Sequence, residues 1–263
     1  MSVAPTLAKT RAAGHSALVG YLPAGFPTVA DATNAARAMV EAGADVVEIG
    51  FPYSDPVMDG PVIQRAAEHA LAGGLRAADV LRTVEGVAAT GAPVLVMTYW
   101  NPILRYGVDA FARDLAAAGG AGLITPDLIP DEGADWLAAS EAHGLDRVFL
   151  VAPSSSDERI ASTVAATSGF VYAQSVMGVT GARDNAPAAA PELVERTRKA
   201  TDLPIGVGLG VRSGAQAAEI AAYADAVIVG SAMVKCLLDA PTVGDGIAAL
   251  RALTGELSDA VHA

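Results

Sequence analysis

Short apolar, β-branched runs recur along the chain, and a segment with helical periodicity follows nearly every one. The eight runs are 17–22, 45–50, 93–97, 122–125, 147–151, 169–174, 204–208 and 225–230. The clearest helical segments are 29–41, 61–71, 77–89, 108–118, 132–143, 157–167, 191–199 and 213–223. Because strands buried on both faces read as continuous apolar runs, this alternation indicates a parallel sheet covered by helices. The chain is therefore predicted to be an α/β protein.

Eight strand–helix units without a linker or a shift in composition favour one domain, residues 1–263, folded as a closed (β/α)8 TIM barrel. We also expect an extra N-terminal helix and long loops after strands two and six. An open doubly wound sheet is the alternative, but it usually has fewer strands in this length and a glycine-rich turn after the first. Here the first strand runs into Pro23-Ala24-Gly25-Phe26-Pro27, which is not a dinucleotide-binding turn.

Composition excludes several kinds of partner. The net charge of -12 and the isoelectric point near 4.6 argue against binding to nucleic acid or to an anionic membrane. No apolar run reaches the roughly 18 residues that a membrane span needs. The N-terminus lacks the pattern of an export signal and Cys236 is the single cysteine, so we expect a cytoplasmic protein. Four histidines without metal-ligand spacing give no reason to expect a metal site.

The second run contains a carboxylate, Glu48, where a buried strand should be apolar. A second carboxylate, Asp59, ends the loop that follows. Both would lie over the mouth of the barrel, where a buried acid with a shifted pKa suits proton transfer. Two alternatives stay open: Glu48 could form a buried ion pair, and Asp59 could cap the helix that Pro61 begins.

Glycines cluster at the ends of the last three predicted strands and suggest a phosphate site. They lie in the segments 178–181, 206–210 and 229–232. Glycine lets backbone N–H groups approach an anion closely, and helices starting near Ser213 and Ser231 would add partial positive charge. The alternative is that barrel corners need glycine for steric reasons alone.

Aromatic and polar side chains also fall at predicted strand ends that face the mouth. They are Tyr21, Tyr99, Asn101, Asp127 and Tyr172. A tyrosine can line an apolar slot while its hydroxyl fixes a carboxylate. For each of these residues alone, packing or turn formation is the simpler interpretation.

The run VEIGFPYSDPVMDGP at 47–61 closely resembles the signature of the tryptophan synthase alpha chain family. The later blocks YWNP (99–102), PDLIPDE (126–132), GVTG (178–181), GLGV (208–211) and VGSA (229–232) resemble that family's blocks in the same order. The resemblance extends over essentially the whole chain. It differs from the common family pattern at Phe26, Met58 and Leu209, and the last of these bears on the shape of the indole slot.

This resemblance implies retro-aldol cleavage of indole-3-glycerol phosphate to indole and glyceraldehyde 3-phosphate. It implies that Glu48 is the acid–base group and that Asp59 binds the indole N–H and stabilises the positive charge formed on protonation. The residues it assigns to substrate orientation are Tyr21, Tyr99, Tyr172, Thr180 and Leu209, and those it assigns to phosphate binding are Gly181, Gly210, Gly230 and Ser231.

The resemblance also implies a partner, the pyridoxal-phosphate-containing beta chain of an α2β2 assembly, and no cofactor in this chain. The residues it places at the partner interface are Pro52, Asp55, Pro56, Asn101 and Pro102. Two other functions stay open. A non-catalytic regulatory subunit could dispense with the two carboxylates, and another phosphate-binding barrel, such as an amino-sugar isomerase of histidine or tryptophan synthesis, would lack the Ser-Asp-Pro loop.

Overall fold

All the described strands are parallel and belong to one sheet. The computed structural model describes residues 2–174, 189–208 and 210–263. The nine strands are β1 Ala17–Pro23, β2 Val46–Gly50, β3 Val94–Met97, β4 Gly122–Ile124, β5 Asp146–Val148, β6 Leu150–Val151, β7 Val171–Gln174, β8 Ile205–Gly208 and β9 Ala226–Val229. Their order in the sheet is β5-β4-β3-β2-β1-β9-β8-β7-β6.

The sheet closes on itself through the fifth predicted strand. β5 and β6 stand at opposite ends of the order, yet only Phe149 separates them in the chain. The eight predicted strands are therefore confirmed, with the fifth divided in two where the sheet bends between β4 and β7. The Phe149 carbonyl accepts a hydrogen bond from the Tyr172 N–H at 3.1 Å, which carries the pairing across the break.

Helices follow the strands as predicted, and the N-terminal helix is confirmed. They are α1 Ala4–Ala12, α2 Val29–Glu41, α3 Pro61–Ala72, α4 Ala77–Ala88, α5 Trp100–Tyr106, α6 Val108–Ala117, α7 Ala134–His143, α8 Asp157–Ala166, α9 Ala189–Arg198, α10 Gly214–Ala221, α11 Ser231–Leu238 and α12 Val243–Val261, with a 3-10 turn at Pro130–Glu132. The long loop after β2 is present, whereas the loop predicted after strand six lies outside the described residues. Within the described part of the chain, no helix has both the length and the hydropathy to cross a bilayer.

Local sequence explains where several helices begin. The side chains of Thr28, Ser156, Ser213 and Thr242 each accept a hydrogen bond from a backbone N–H three residues later, at the starts of α2, α8, α10 and α12. Such caps satisfy N–H groups that have no partner within the helix. Pro61 begins α3, where its missing N–H costs nothing.

The core has two layers. A large cluster packs between the outer face of the sheet and the helices, and a smaller one fills the barrel with residues such as Val19, Val46 and Leu95. Helix α1 covers the amino end of the barrel, because Val3 and Leu7 belong to the inner cluster. The Asp146 carboxylate holds this segment by accepting a hydrogen bond from the Val3 N–H at 2.8 Å. The candidate site lies at the opposite, carboxyl end of the strands.

Candidate active site

Glu48 is a buried acid on the inner face of β2. It pairs in register with Tyr21 of β1 and Leu95 of β3, and only 1% of its surface is exposed. Burial raises its pKa to about 8, and its Oε1 has no hydrogen-bond partner among the described residues. No ion pair of Glu48 occurs in the described ranges either, so the structure does not favour the ion-pair alternative. At neutral pH the side chain is a protonated acid that can donate.

Two tyrosines lie beside Glu48 at the mouth. The pKa of Tyr172 is raised by burial and then by the charge of Glu48, and that of Tyr21 by burial and then by Asp59 and Glu48. A Cβ at Gly50 would overlap the Tyr21 hydroxyl, and a Cβ at Gly208 would overlap the Tyr172 hydroxyl. These glycines provide the space for the two rings. The sequence interpretation placed Gly208 in the phosphate-binding segment 206–210 and gave Gly50 no role. Glycine as the last residue of an apolar strand was the available signal.

Asp59 is held by Tyr99. The Tyr99 hydroxyl donates to Oδ1 of Asp59 at 2.8 Å and accepts from the Met58 N–H at 3.0 Å. Burial raises the pKa of Asp59, whereas the hydrogen bond from Tyr99 acts to lower it. Helix α3 has Gly60 as its N-cap, without a side-chain cap. The capping alternative for Asp59 is therefore not what the structure shows.

Another residue that the sequence interpretation missed supports the backbone at Asp59. The Gln64 side chain, one turn into α3, donates to the Asp59 carbonyl at 2.7 Å. Its position in the first turn of a helix that follows a carboxylate-bearing loop was the only sequence signal. Asp59 is thus fixed both through its side chain and through its main chain.

The polar residues Asn101, after β3, and Asp127, after β4, contact the segments that border the site. The Asn101 amide donates to the Tyr53 hydroxyl at 3.0 Å, and the Tyr53 and Tyr99 ring centroids are 5.5 Å apart. The Asp127 carboxylate accepts a hydrogen bond from the Trp100 N–H at 2.9 Å. Asp127 thus fixes the start of α5. This contact supports the alternative that Asp127 stabilises a turn rather than facing the mouth.

The described residues that are predicted to bind phosphate follow the ends of two neighbouring strands. Gly208 pairs with Ile228, so β8 and β9 end side by side, and Gly210 and Gly230 follow them. Gly210 has a φ of 65°, a left-handed conformation that favours glycine. Gly230 is the N-cap of α11, and Ser231 is its first residue. Thr180, Gly181 and Leu209 lie outside the described residues.

The predicted partner residues differ in exposure. Asp55 and Asn101 are exposed and Pro56 and Pro102 partly so, but Pro52 is buried. Among the residues that the structure describes, three large apolar side chains are more than two-fifths exposed: Val57 at 70%, Leu104 at 51% and Ile129 at 43%. They follow β2, β3 and β4, which are adjacent in the sheet. We refer to Val57, Leu104 and Ile129 as the apolar strip.

Within residues 2–174, 189–208 and 210–263, no group of three or more His, Cys, Asp or Glu side chains could hold a metal ion. Burial raises the pKa of the half-buried Cys236 thiol, which disfavours the reactive thiolate.

A parallel α/β barrel with a buried acid of raised pKa and a second, hydrogen-bonded carboxylate at its mouth is typical of enzymes that use acid–base catalysis. The family model for "Tryptophan synthase alpha chain" matches residues 7–262. The chain belongs to the tryptophan synthase alpha chain family.

Individual relatives agree with this assignment over nearly the full length. The chain is 67% identical to the alpha chain of Salinispora arenicola over 254 residues, which cover 97% of this chain and 95% of that one. It superposes on a structure of Mycobacterium tuberculosis tryptophan synthase with a TM-score of 0.93 at 60% identity, covering 99% of this chain and 98% of the other. The alpha subunit from Legionella pneumophila gives a TM-score of 0.90 at 33% identity, with 99% and 98% covered.

The family defines the reaction. The chain is a carbon–carbon lyase of tryptophan biosynthesis that cleaves indole-3-glycerol phosphate to indole and glyceraldehyde 3-phosphate, and the indole passes to a beta subunit.

Proposed function

We propose that Glu48 and Asp59 carry out this cleavage together. Glu48 donates its proton to C3 of the indole ring, which leaves a positive charge shared with the ring nitrogen. Asp59 accepts a hydrogen bond from the indole N–H and stabilises that charge. The observation that carries the proposal is the buried Glu48 carboxyl, whose Oε1 has no hydrogen-bond partner among the described residues and whose pKa burial raises to about 8.

The remaining step breaks the carbon–carbon bond. Glu48, now a carboxylate, assists removal of the proton from the glycerol hydroxyl next to the ring. As the C–O bond becomes a carbonyl, the electron pair of the breaking bond returns to the indole and neutralises its positive charge. The products are indole and an aldehyde phosphate, and Glu48 has regained its proton. Because the cleavage is redox-neutral overall and Glu48 carries both proton transfers, we propose that this chain needs no cofactor or metal of its own.

The other site residues are proposed to bind and orient the substrate. The buried ring of Tyr21 and the partly buried ring of Tyr172 border the space next to Glu48, and their hydroxyls lie over Gly50 and Gly208. Gly210, Gly230 and Ser231 are proposed to bind the phosphate through backbone N–H groups, where the amino end of α11 adds partial positive charge. Thr180, Gly181 and Leu209 keep the substrate-binding roles that the sequence suggests.

An indole-release assay with Glu48→Gln tests the acid–base role. Glutamine keeps the shape of the side chain but has no acidic proton, so we expect activity to fall by roughly 10²–10⁴-fold while the phosphate ligand still binds. Glu85→Gln is the matched control, because Glu85 is exposed on α4, away from the mouth. Full activity of Glu48→Gln would remove Glu48 from this role.

We further propose that the partner is a beta chain that carries pyridoxal phosphate in an α2β2 assembly, and that it docks on the carboxyl face of the barrel. The exposed Asp55 and Asn101, the partly exposed Pro56 and Pro102 and the apolar strip support this location. Pro52 is buried and would act by shaping the loop rather than by direct contact.

We propose that the chain works as one domain over residues 1–263, and the single sheet supports this. A cytoplasmic location fits its biosynthetic role.

A further inference from the structure

We propose that Tyr99 is a positioning residue for Asp59, rather than a residue that orients the substrate by direct contact. This inference rests on the proposed role of Asp59 and adds the device that places its carboxylate. Tyr99 follows β3, whereas Asp59 belongs to the loop after β2, so the bond between them joins two segments 40 residues apart in the chain.

The hydrogen-bond pattern determines the direction of donation. A phenol hydroxyl has one proton. The Met58 N–H can only donate, so the Tyr99 oxygen accepts from it at 3.0 Å. The Tyr99 proton is then directed to Oδ1 of Asp59 at 2.8 Å. Asp59 is thereby held as an acceptor, the state that a partner for the cationic indole requires.

The surroundings of Tyr99 make this geometry rigid. Its side chain is 5% exposed, and the Tyr53 ring packs against it with centroids 5.5 Å apart. The same hydroxyl binds the backbone before Asp59 and the carboxylate itself. A rotation of the loop would break both bonds, so Tyr99 defines where the carboxylate lies relative to the bound ring.

The experiment compares Tyr99→Phe with Tyr53→Phe in the full-length chain, with indole release as the readout. Losing a hydrogen bond to a charged group should lower kcat by about tenfold or more, with a smaller change in KM. The acidic limb of the pH–rate profile should move to higher pH, because the hydrogen bond from Tyr99 lowers the pKa of Asp59. Tyr53→Phe removes a hydroxyl from the neighbouring ring that has no bond to Asp59 among the described contacts, and should stay within about twofold of the parent.

A double-mutant cycle with Asp59→Ala separates this inference from the proposed function. If Tyr99 acts through Asp59, adding Tyr99→Phe to Asp59→Ala should change kcat/KM by less than about twofold. The same loss in both backgrounds, or an unmoved acidic limb in Tyr99→Phe, would overturn the positioning role. Full activity of Asp59→Ala alone would instead contradict the proposed catalytic role of Asp59.

Discussion

At the scale of single residues, the protonation of Glu48 couples the stability of the fold to pH. A carboxyl that is buried without a charge partner favours its neutral form, and the unfolded chain imposes no such preference. The fully buried Glu48 has a pKa of about 8, against an ordinary value of 4.5. The property that makes it a proton donor therefore also opposes folding in alkaline solution.

We predict that Glu48→Gln is more stable than the parent at alkaline pH and that the advantage shrinks toward acid. Between pH 4.5 and about 8 the folded chain binds a proton that the unfolded chain has lost, so this group's contribution decreases as pH rises and levels off above about 8. Each pKa unit corresponds to about 1.4 kcal/mol, which places the full difference at a few kcal/mol. Urea unfolding across this pH range measures it, and Glu85→Gln should follow the parent. Parallel curves for Glu48→Gln and the parent would contradict the prediction.

A second prediction concerns the space that Gly50 leaves for Tyr21. Gly50→Ala should displace the Tyr21 ring, destabilise the fold by about 1–3 kcal/mol and lower kcat/KM. Gly255→Ala is the control, because a Cβ there meets nothing within 4 Å and should stabilise α12 by about 0.5–1 kcal/mol. Thermal unfolding and indole release measure both effects. An unchanged kcat/KM in Gly50→Ala would show that the ring position does not matter for the reaction.

At the scale of elements, the two ends of the barrel have different tasks. Helix α1 closes the amino end with Val3 and Leu7 inside the inner cluster. At the carboxyl end, the loop after β2 and the segment after β3 are joined by hydrogen bonds through Tyr99 and by the bond from the Thr98 hydroxyl to the Phe51 carbonyl at 3.1 Å. Residues that stabilise the fold and residues proposed to act in catalysis therefore lie largely at opposite ends of the barrel, as is usual in this fold.

This separation predicts that Leu7→Ala affects stability and leaves the catalytic constants close to those of the parent. Leu7 is 1% exposed, so its truncation should cost about 2–5 kcal/mol. The same substitution at Leu104, which is 51% exposed, should change the free energy of unfolding by less than about 0.5 kcal/mol. Urea unfolding of the two variants makes the comparison, and equal destabilisation would refute it.

Local sequence predicted most elements, because strand runs and helix caps are local signals. It missed α5 and α12 for reasons that the structure explains. Pro102 lies near the start of the short α5, and Gly244, Gly246 and Gly255 interrupt the apolar pattern of α12. The break at Phe149 arises from closure of the ring, which no local pattern encodes.

The site was predictable as a set of residue types but not as a set of contacts. The position of Glu48 in an otherwise apolar strand predicted that it belongs to the site. The bond from the Tyr99 hydroxyl to Asp59 and the bond from the Trp100 N–H to Asp127 join residues 40 and 27 positions apart, respectively. Whether a carboxylate caps a turn or faces the site depends on contacts with residues that are distant in the chain. These contacts exist only in the folded structure.

At the scale of the whole molecule, the exposed apolar strip supports the proposal that the beta chain docks on the carboxyl face of the barrel. Its three side chains lie on segments that follow neighbouring strands, and in the chain Val57 is close to the exposed Asp55 and Leu104 to the exposed Asn101. Apolar groups at the centre of an interface usually supply much of the binding energy.

We therefore predict that Leu104→Asp weakens binding of the beta chain by about tenfold or more, since a charge would be buried without a partner. Ala8→Asp adds the same charge on the exposed side of α1, at the opposite end of the barrel, and should bind like the parent. Titration calorimetry with the purified beta chain measures both affinities. Equal affinities for the two variants would place the docking surface elsewhere.

The break at Phe149 has a consequence for how this chain can associate. Because β5 and β6 are successive pieces of one strand, paired with β4 and β7 respectively, the nine described strands form a ring. A ring offers no free edge onto which a foreign strand could be added. Any partner must then recognise loops and side chains at the rim, and a subunit awaiting assembly is protected against the strand-to-strand polymerisation that threatens open sheets.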